Sequence, residues 1–209
     1  MHKELQKIEK IKIVPVVAIN DASDARPLAE ALVEGGLPCA EITFRTEAAV
    51  ASIKTMAAMG NIQVGAGTVS KVDQVKAAVD AGATFMVSPG FNPKVVQYCV
   101  DNNIPITPGI TNPTDIEMAL DFDLQVLKFF PAEAFGGINT LKALSAPYGS
   151  IKFIPTGGVS PENLLSYLKF PKVLACGGSW MVKSDLISDK KFDQIQALTK
   201  EAVALAKSV

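Results

Sequence analysis

The sequence predicts a closed (β/α)8 barrel, and three features of its 209 residues indicate this fold. Eight short apolar runs, rich in β-branched residues, follow one another along the chain. Stretches with the apolar spacing of an amphipathic helix separate the runs, which indicates repeated strand–helix units and a parallel sheet. Eight such units are the number that closes a barrel of this class. An open doubly wound sheet is the alternative architecture for the same alternation.

The eight runs give the predicted strands in order: IVPVVAI, CAEITF, IQVGAGTV, TFMVSPG, IPITPGI, LQVLKFF, IKFIPTGG and VLACGG. A charged segment precedes the first run and carries Leu5, Ile8 and Ile11 on one side. This spacing predicts an extra N-terminal helix that covers the floor of the barrel. No linker or low-complexity stretch interrupts the alternation, so we expect residues 1–209 to form a single domain.

Capping residues mark the expected helix boundaries. Ser70, Asn92, Asn112 and Ser160 stand at expected helix starts, and the last three are each followed by proline. Proline is favoured at the first helical position because its missing N–H has no partner there in any case. Glycine just beyond a helix marks its end, and the candidates are Gly35-Gly36, Gly60 and Gly82.

The composition argues against nucleic-acid and membrane partners. Lysine and arginine number 20 against 21 acidic residues, so the net charge is −1 and the basic surface of a nucleic-acid binder is missing. No apolar run approaches the ~20 residues that span a membrane. The N-terminus, MHKELQKIEK, is charged and lacks the apolar centre of a signal peptide. We therefore expect a cytoplasmic protein.

Cysteine and histidine usage narrows the possible chemistry. Cys39, Cys99 and Cys176 are odd in number and widely spaced, so we interpret them as buried, reduced thiols. His2 is the only histidine, which argues against a Ser–His–Asp triad and a histidine-rich metal site. We expect neither a metal nor an organic cofactor.

Barrel enzymes carry their chemistry at the C-terminal ends of the strands. Lys128 lies there, inside the apolar run QVLKFF. Burying a charged amine is costly, so Lys128 either reaches solvent past the strand end or serves as an amine that loses its proton easily. A neutral amine forms a Schiff base with ketones. On the second strand, Glu41, Thr43 and Arg45 share one face, either as part of a site or as a structural Glu41–Arg45 ion pair.

Two Gly-Gly turns end the seventh and eighth strands, in PTGGVSPEN and ACGGSW. Barrels often bind phosphate at this place through backbone N–H groups and a helix N-terminus. Neither turn contains arginine or lysine, so we expect amide dipoles to bind the anion. The run VGAGTV lacks the spacing of a dinucleotide loop. Thr68 follows it and offers a hydroxyl for a substrate carboxylate held by Arg45.

Together, the motifs EITFRT, VGAGTV, SPG, KFFPAE, PTGGV and GGSWM resemble the 2-keto-3-deoxy-6-phosphogluconate (KDPG) aldolase family, also called 4-hydroxy-2-oxoglutarate (KHG) aldolases, from about Ile11 through Val182. The resemblance implies a class I aldolase on a small barrel that assembles as a homotrimer. It implies Lys128 as the Schiff-base lysine and Glu41 as the general acid–base. The other matched positions are Arg45 and Thr68 at the carboxylate, Pro89 and Phe130 in the pocket wall, Thr156 beside the ketone, and Gly157, Gly158, Gly178 and Ser179 at the phosphate.

The resemblance implies reversible cleavage of KDPG to pyruvate and glyceraldehyde 3-phosphate, with KHG as a further substrate. Two alternatives remain open at this point: cleavage of the galactonate-derived epimer, and a non-catalytic barrel that binds keto acids without turnover. A phosphosugar isomerase or synthase on the same scaffold would form no imine. A metal-dependent aldolase would lose its activity to a chelator.

Overall fold

Strands and helices alternate along the whole chain in the computed structural model, which describes residues 1–209. The strands are β1 (Ile13–Val17), β2 (Cys39–Thr43), β3 (Gln63–Gly67), β4 (Phe85–Val87), β5 (Ile106–Thr107), β6 (Gly109–Ile110), β7 (Val126–Phe129), β8 (Lys152–Pro155) and β9 (Cys176–Gly178). The α-helices are α1 (Lys3–Ile11), α2 (Ala25–Glu34), α3 (Ala49–Ala57), α4 (Val72–Asp80), α5 (Pro93–Asp101), α6 (Pro113–Leu120), α7 (Gly137–Ser145), α8 (Pro161–Leu168), α9 (Ser184–Ser188) and α10 (Phe192–Ala206). None of these helices has the length and apolar character needed to cross a membrane.

The strands are parallel and form two sheets. One has the order β5-β4-β3-β2-β1-β9 and the other has the order β6-β7-β8. The predicted alternating α/β fold with parallel strands is confirmed, but nine strands replace the expected eight. The difference arises because Pro108 divides the fifth run, IPITPGI, into β5 and β6. Proline has no N–H to donate, so it interrupts the ladder of hydrogen bonds.

The edges of the two sheets lie beside each other at two places. Pro108 separates β5 from β6, and its carbonyl accepts a hydrogen bond of 2.9 Å from the backbone N–H of Lys128. On the other side, parallel bridges pair Phe153 with Val173 and Thr156 with Gly177. These bridges connect β8 with β9 and the residues just before it.

An inner apolar core lies on the face of the strands opposite the outer helices. Leu5 and Ile8 of α1 belong to it and are 6% and 1% exposed. They pack with strand residues that include Val14, Phe85 and Val126. Burying a side chain of this size contributes roughly 1.5–3 kcal/mol. The predicted N-terminal helix is therefore present, and its apolar side lies on the inner core.

The helix starts follow from local capping. Asn92 and Asn112 cap α5 and α6, because their side-chain oxygens accept the N–H groups of residues 94 and 115 at 3.1 and 3.0 Å. At α8, the backbone N–H of Ser160 donates to Asn163 at 2.9 Å. The start predicted at Ser70 is wrong by one residue. Lys71 is the N-cap of α4, because the Gln74 side chain accepts the backbone N–H groups of both residues 70 and 71.

Candidate active site

Lys128 lies on β7, and its side chain is buried. Only 4% of the residue is exposed, so the alternative in which the amine reaches solvent is wrong. Its Nζ lies 3.7 Å from Oε1 of Glu41 and 4.9 Å from the centre of the Phe130 ring. The amine therefore faces one carboxylate and one aromatic ring in a site closed to bulk water.

Glu41 projects from the middle of β2 toward that amine. The residue is 3% exposed, and its Oε1 has no hydrogen-bond partner. An unpaired buried carboxylate oxygen costs free energy, and such a cost marks a place where a protein reserves an atom for a ligand or a proton. The alternative Glu41–Arg45 ion pair is wrong, because the carboxylate pairs with Lys128 and Arg45 lies in the turn beyond β2.

Gly67 on β3 makes room for the Glu41 carboxylate. A Cβ atom at this position would lie 2.2 Å from Oε1 of Glu41, well inside van der Waals contact. The two strands are neighbours, and Thr43 of β2 is the Cα partner of Gly67. Any larger residue at position 67 would push the carboxylate away from its present position.

Arg45 and Thr68 lie together beyond the ends of β2 and β3. The Arg45 Nε donates to the Thr68 hydroxyl at 3.4 Å. Thr68 has a φ of 57°, which is rare for a β-branched residue and costs of the order of 1–3 kcal/mol. Such strain clusters at functional sites. The structure therefore brings together the two residues predicted to bind a substrate carboxylate, and that role stays a prediction.

An outer cleft of about 470 Å³ opens at the C-terminal ends of the strands. It gathers seven of the predicted site residues: Arg45, Phe130, Thr156, Gly157, Gly158, Gly178 and Ser179. A small inner cavity of about 10 Å³ lies beneath it and is lined by Glu41, Lys128 and Thr156. That volume suits a single water molecule. Thr156 lines both spaces and so connects the amine with the cleft.

Both predicted Gly-Gly pairs line this cleft, but only the first is a turn; the turn predicted at the second pair is wrong, because Gly177 and Gly178 lie within β9. Gly157 and Gly158 have φ values of 96° and 81°, a backbone conformation that only glycine adopts without strain. A Cβ at position 158 would lie 2.6 Å from Cβ of Glu133, so this turn packs directly on that residue. The turn leads into α8, whose N-terminus lies just beyond Ser160.

The structure departs from the sequence prediction at the rim. Pro89 is exposed and lines neither the cleft nor the inner cavity. Thr107 lines the inner cavity and Lys183 lines the cleft, although neither was singled out as a site residue. Thr107 lies in the middle of the fifth run and at the end of β5, directly before Pro108, so the apolar pattern of the run did not mark it. Lys183 lies four residues beyond Ser179, outside the turn itself.

The cysteines take no part in the site. All three are free and buried, which confirms the interpretation from the sequence. Burial raises the pKa of Cys99 to about 12, and burial with the nearby Glu41 charge raises the pKa of Cys39 to about 12. Burial also raises the pKa of Cys176. The thiols are therefore protonated at neutral pH and are poor nucleophiles.

The sequence of this chain is similar to those of known proteins of one family. A family model described as KDPG and KHG aldolase matches residues 5–198. The 2-dehydro-3-deoxy-phosphogluconate aldolase of Haemophilus influenzae is 46% identical over 97% of this chain and 96% of its own length.

Solved structures of similar proteins have the same fold. The KDPG aldolase of Zymomonas mobilis, crystallised with 3-phosphoglycerate, superposes with a TM-score of 0.90 at 38% identity, covering 98% of this chain and 97% of that one. The KDPG aldolase of Legionella pneumophila, with pyruvate captured at low pH as a covalent carbinolamine intermediate, gives 0.92 at 34% identity, covering 96% and 98%. From the family match and these full-length similarities, the chain belongs to the KDPG and KHG aldolase family.

Proposed function

We propose that this protein is a class I aldolase that cleaves KDPG reversibly to pyruvate and glyceraldehyde 3-phosphate, and that it also cleaves KHG. One observation carries the proposal. A buried lysine and a buried carboxylate face each other 3.7 Å apart, beneath a cleft lined by glycine turns and an arginine. This arrangement provides a nucleophile, a proton carrier and anion-binding groups in one place.

The reaction begins when the neutral amine of Lys128 attacks the C2 ketone to give a carbinolamine. Loss of water leaves a protonated imine, which serves as the electron sink. Glu41 removes the proton of the C4 hydroxyl, and the C3–C4 bond breaks. Its electron pair moves into the imine to form an enamine, while the aldehyde product departs. Glu41 then helps return a proton to the enamine carbon, and water releases pyruvate and the free amine.

The geometry favours a water-assisted proton path between the two residues. The 3.7 Å separation of Lys128 Nζ and Glu41 Oε1 exceeds the ~3.2 Å upper limit of an N–H···O hydrogen bond. The inner cavity has room for one water, and Oε1 has no other partner. A single water beside Glu41 can therefore relay a proton to or from the reacting atoms.

Different parts of the cleft bind the carboxylate, the ketone and the phosphate of the substrate. Arg45, whose guanidinium presents a planar fork, and the Thr68 hydroxyl hold the carboxylate. The Phe130 ring forms the wall beside the pyruvyl group, and Thr156 lies next to the reacting ketone. At the far end, Gly157, Gly158, Gly178 and Ser179 bind the phosphate through backbone N–H groups and a hydroxyl.

We also propose a domain organisation, an oligomeric state and a cellular location for this protein. Residues 1–209 form one domain in which the two sheets close into a single (β/α)8 barrel. The interruption at Pro108 alone separates β5 from β6, and the bridge from Thr156 to Gly177 joins β8 to β9, which supports closure.

Three such chains form a homotrimer, for which the 48% exposed Phe135 offers an apolar contact. Three free thiols suit the reducing cytoplasm.

Pyruvate release from KDPG and from KHG, measured with the purified protein, tests the proposed function. The Lys128→Met variant is the control, because it keeps a long apolar side chain but removes the amine. The protein should turn over both substrates, and the variant should turn over neither. A protein that binds pyruvate but cleaves neither substrate would instead be a keto-acid-binding barrel.

A further inference from the structure

The outer cleft contains two charged residues, and both are cations, Arg45 and Lys183. No carboxylate lines it, although the chain as a whole carries a net charge of −1. KDPG has an anionic group at each end, a carboxylate and a phosphate. The cleft therefore has one cation for each anionic end of the proposed substrate.

The two cations have different surroundings. Arg45 contacts Thr68, at the proposed carboxylate end. Lys183 follows β9, close in sequence to Gly178 and Ser179 at the proposed phosphate end. Its amine forms no ion pair with any carboxylate within 4.0 Å and no hydrogen bond to another residue. Lys183 is thus free to bind an anion.

The backbone on both sides of Lys183 is fixed. The N–H of Val182 donates to the carbonyl of Ser179 at 3.0 Å, which closes a turn over residues 179–182. Met181 and Val182 are buried at 0% and 1% exposure. On the other side, the Ser184 hydroxyl donates to the carbonyl of Ala18 at 3.5 Å, beyond the end of β1. The lysine stem therefore starts from a defined point on the cleft wall.

The nearest acidic residue along the chain does not neutralise this amine. Asp185 uses Oδ1 to accept the N–H of Leu186 at 2.9 Å and lies outside the set of residues that line the cleft. At pH 7 a phosphate monoester carries a charge of about −1.5 to −2. Neutral amides alone leave that charge uncompensated, and charge-assisted hydrogen bonds are roughly twice as strong as neutral ones.

We propose that Lys183 is the specificity-determining cation for the substrate phosphate and acts together with the backbone amide groups of Gly157, Gly158 and Gly178. This inference rests on the proposed function, because it assigns one anionic end of that substrate to one side chain. It replaces the expectation that amide dipoles alone hold the phosphate. Lysine suits the task, since a compact ammonium on a flexible stem binds phosphate as a point charge.

Three variants test the role of Lys183 by comparing kcat/KM for KDPG with kcat/KM for unphosphorylated KHG. Lys183→Met should lower the value for KDPG by roughly 10–100-fold, the usual effect of losing a charged hydrogen bond, and the value for KHG by less than about threefold. Lys183→Arg should keep both within about threefold, because the charge remains. Lys94→Met removes an exposed lysine of α5 that does not line the cleft, and it should change neither value.

Two further measurements separate this inference from the proposed function. Trapping of the pyruvate imine with borohydride should be as efficient in Lys183→Met as in the unmodified protein. If the unmodified protein forms no imine, the proposed function fails. Calorimetric titration with inorganic phosphate then still tests Lys183, because affinity should fall about tenfold in Lys183→Met and not in Lys94→Met. Unchanged phosphate affinity, or equal losses of kcat/KM on both substrates, would overturn the inference.

Discussion

Replacing Gly67 by alanine should displace the Glu41 carboxylate without changing any charge or any catalytic group. The added Cβ would lie 2.2 Å from Oε1 of Glu41, whereas ordinary van der Waals contact begins at 3.4 Å. The carboxylate must therefore move by about 1.2 Å, the difference between these two distances. Gly67 has no positive φ, so alanine adds no backbone strain.

The size of the expected effect follows from the displacement. Misplacing a catalytic group by about 1 Å can cost on the order of 100-fold in rate. We therefore expect kcat/KM for KDPG to fall about 100-fold in Gly67→Ala, while imine formation between pyruvate and Lys128 persists. Gly90→Ala is the matched control, because a Cβ there meets no atom within 4 Å and its φ is ordinary. That variant should keep full activity.

Steady-state cleavage of KDPG, imine trapping and thermal unfolding are measured for both variants. Thermal unfolding is included because Gly67 is buried and the variant must be shown to fold. A folded Gly67→Ala protein with at least half of the normal kcat/KM would refute the reasoning, since the position of the Glu41 carboxylate would then not limit the rate.

Two more predictions concern the buried Glu41 carboxylate and two buried thiols. Glu41→Gln should lower cleavage by roughly 10²–10⁴-fold, the range for general acid–base catalysis, while borohydride trapping of pyruvate survives; near-normal turnover would remove Glu41 from its proposed role. A thiol in the unfolded chain has a pKa of 9.0, whereas the thiols of Cys39 and Cys99 have a pKa of about 12 in the folded protein. The free energy of unfolding should therefore fall above pH 9, by up to about 1.4 kcal/mol per thiol and pH unit. Urea titrations at pH 8 and pH 10 measure this fall in the free energy of unfolding. The fall should be smaller in Cys99→Ala, which lacks one of the thiols, and an equal fall in the variant and the unmodified protein would contradict the prediction.

The strands could be predicted because each apolar run must lie between the inner core and the outer helices, which leaves a clear signal of apolar, β-branched residues. The division of the fifth run into β5 and β6 at Pro108 could not be predicted from the apolar pattern. It depends on which backbone N–H groups form hydrogen bonds between the strands. The start of α4 lies one residue later than predicted, at a point where the Gln74 side chain accepts the backbone N–H groups of Ser70 and Lys71, and no apolar pattern shows such a contact.

The candidate site was predictable where strand alternation decides the direction of a side chain. Lys128 and Glu41 lie on strands, and the structure brings them to 3.7 Å. Beyond the strand ends, backbone turns decide which residues meet, and alternation no longer applies. Arg45 lies beside Thr68 rather than Glu41 for this reason. Lys183 reaches the cleft through the turn at residues 179–182, which no periodic pattern describes.

Identification of the lysine that forms the imine tests the central claim most directly. The protein is incubated with pyruvate, reduced with borohydride, digested and mapped by mass spectrometry. We expect a reduced pyruvyl adduct on Lys128 alone, because this amine is buried beside Glu41 while the other lysine amines are exposed or already paired. An adduct on Lys183 or Lys152, or no adduct at all, would contradict it.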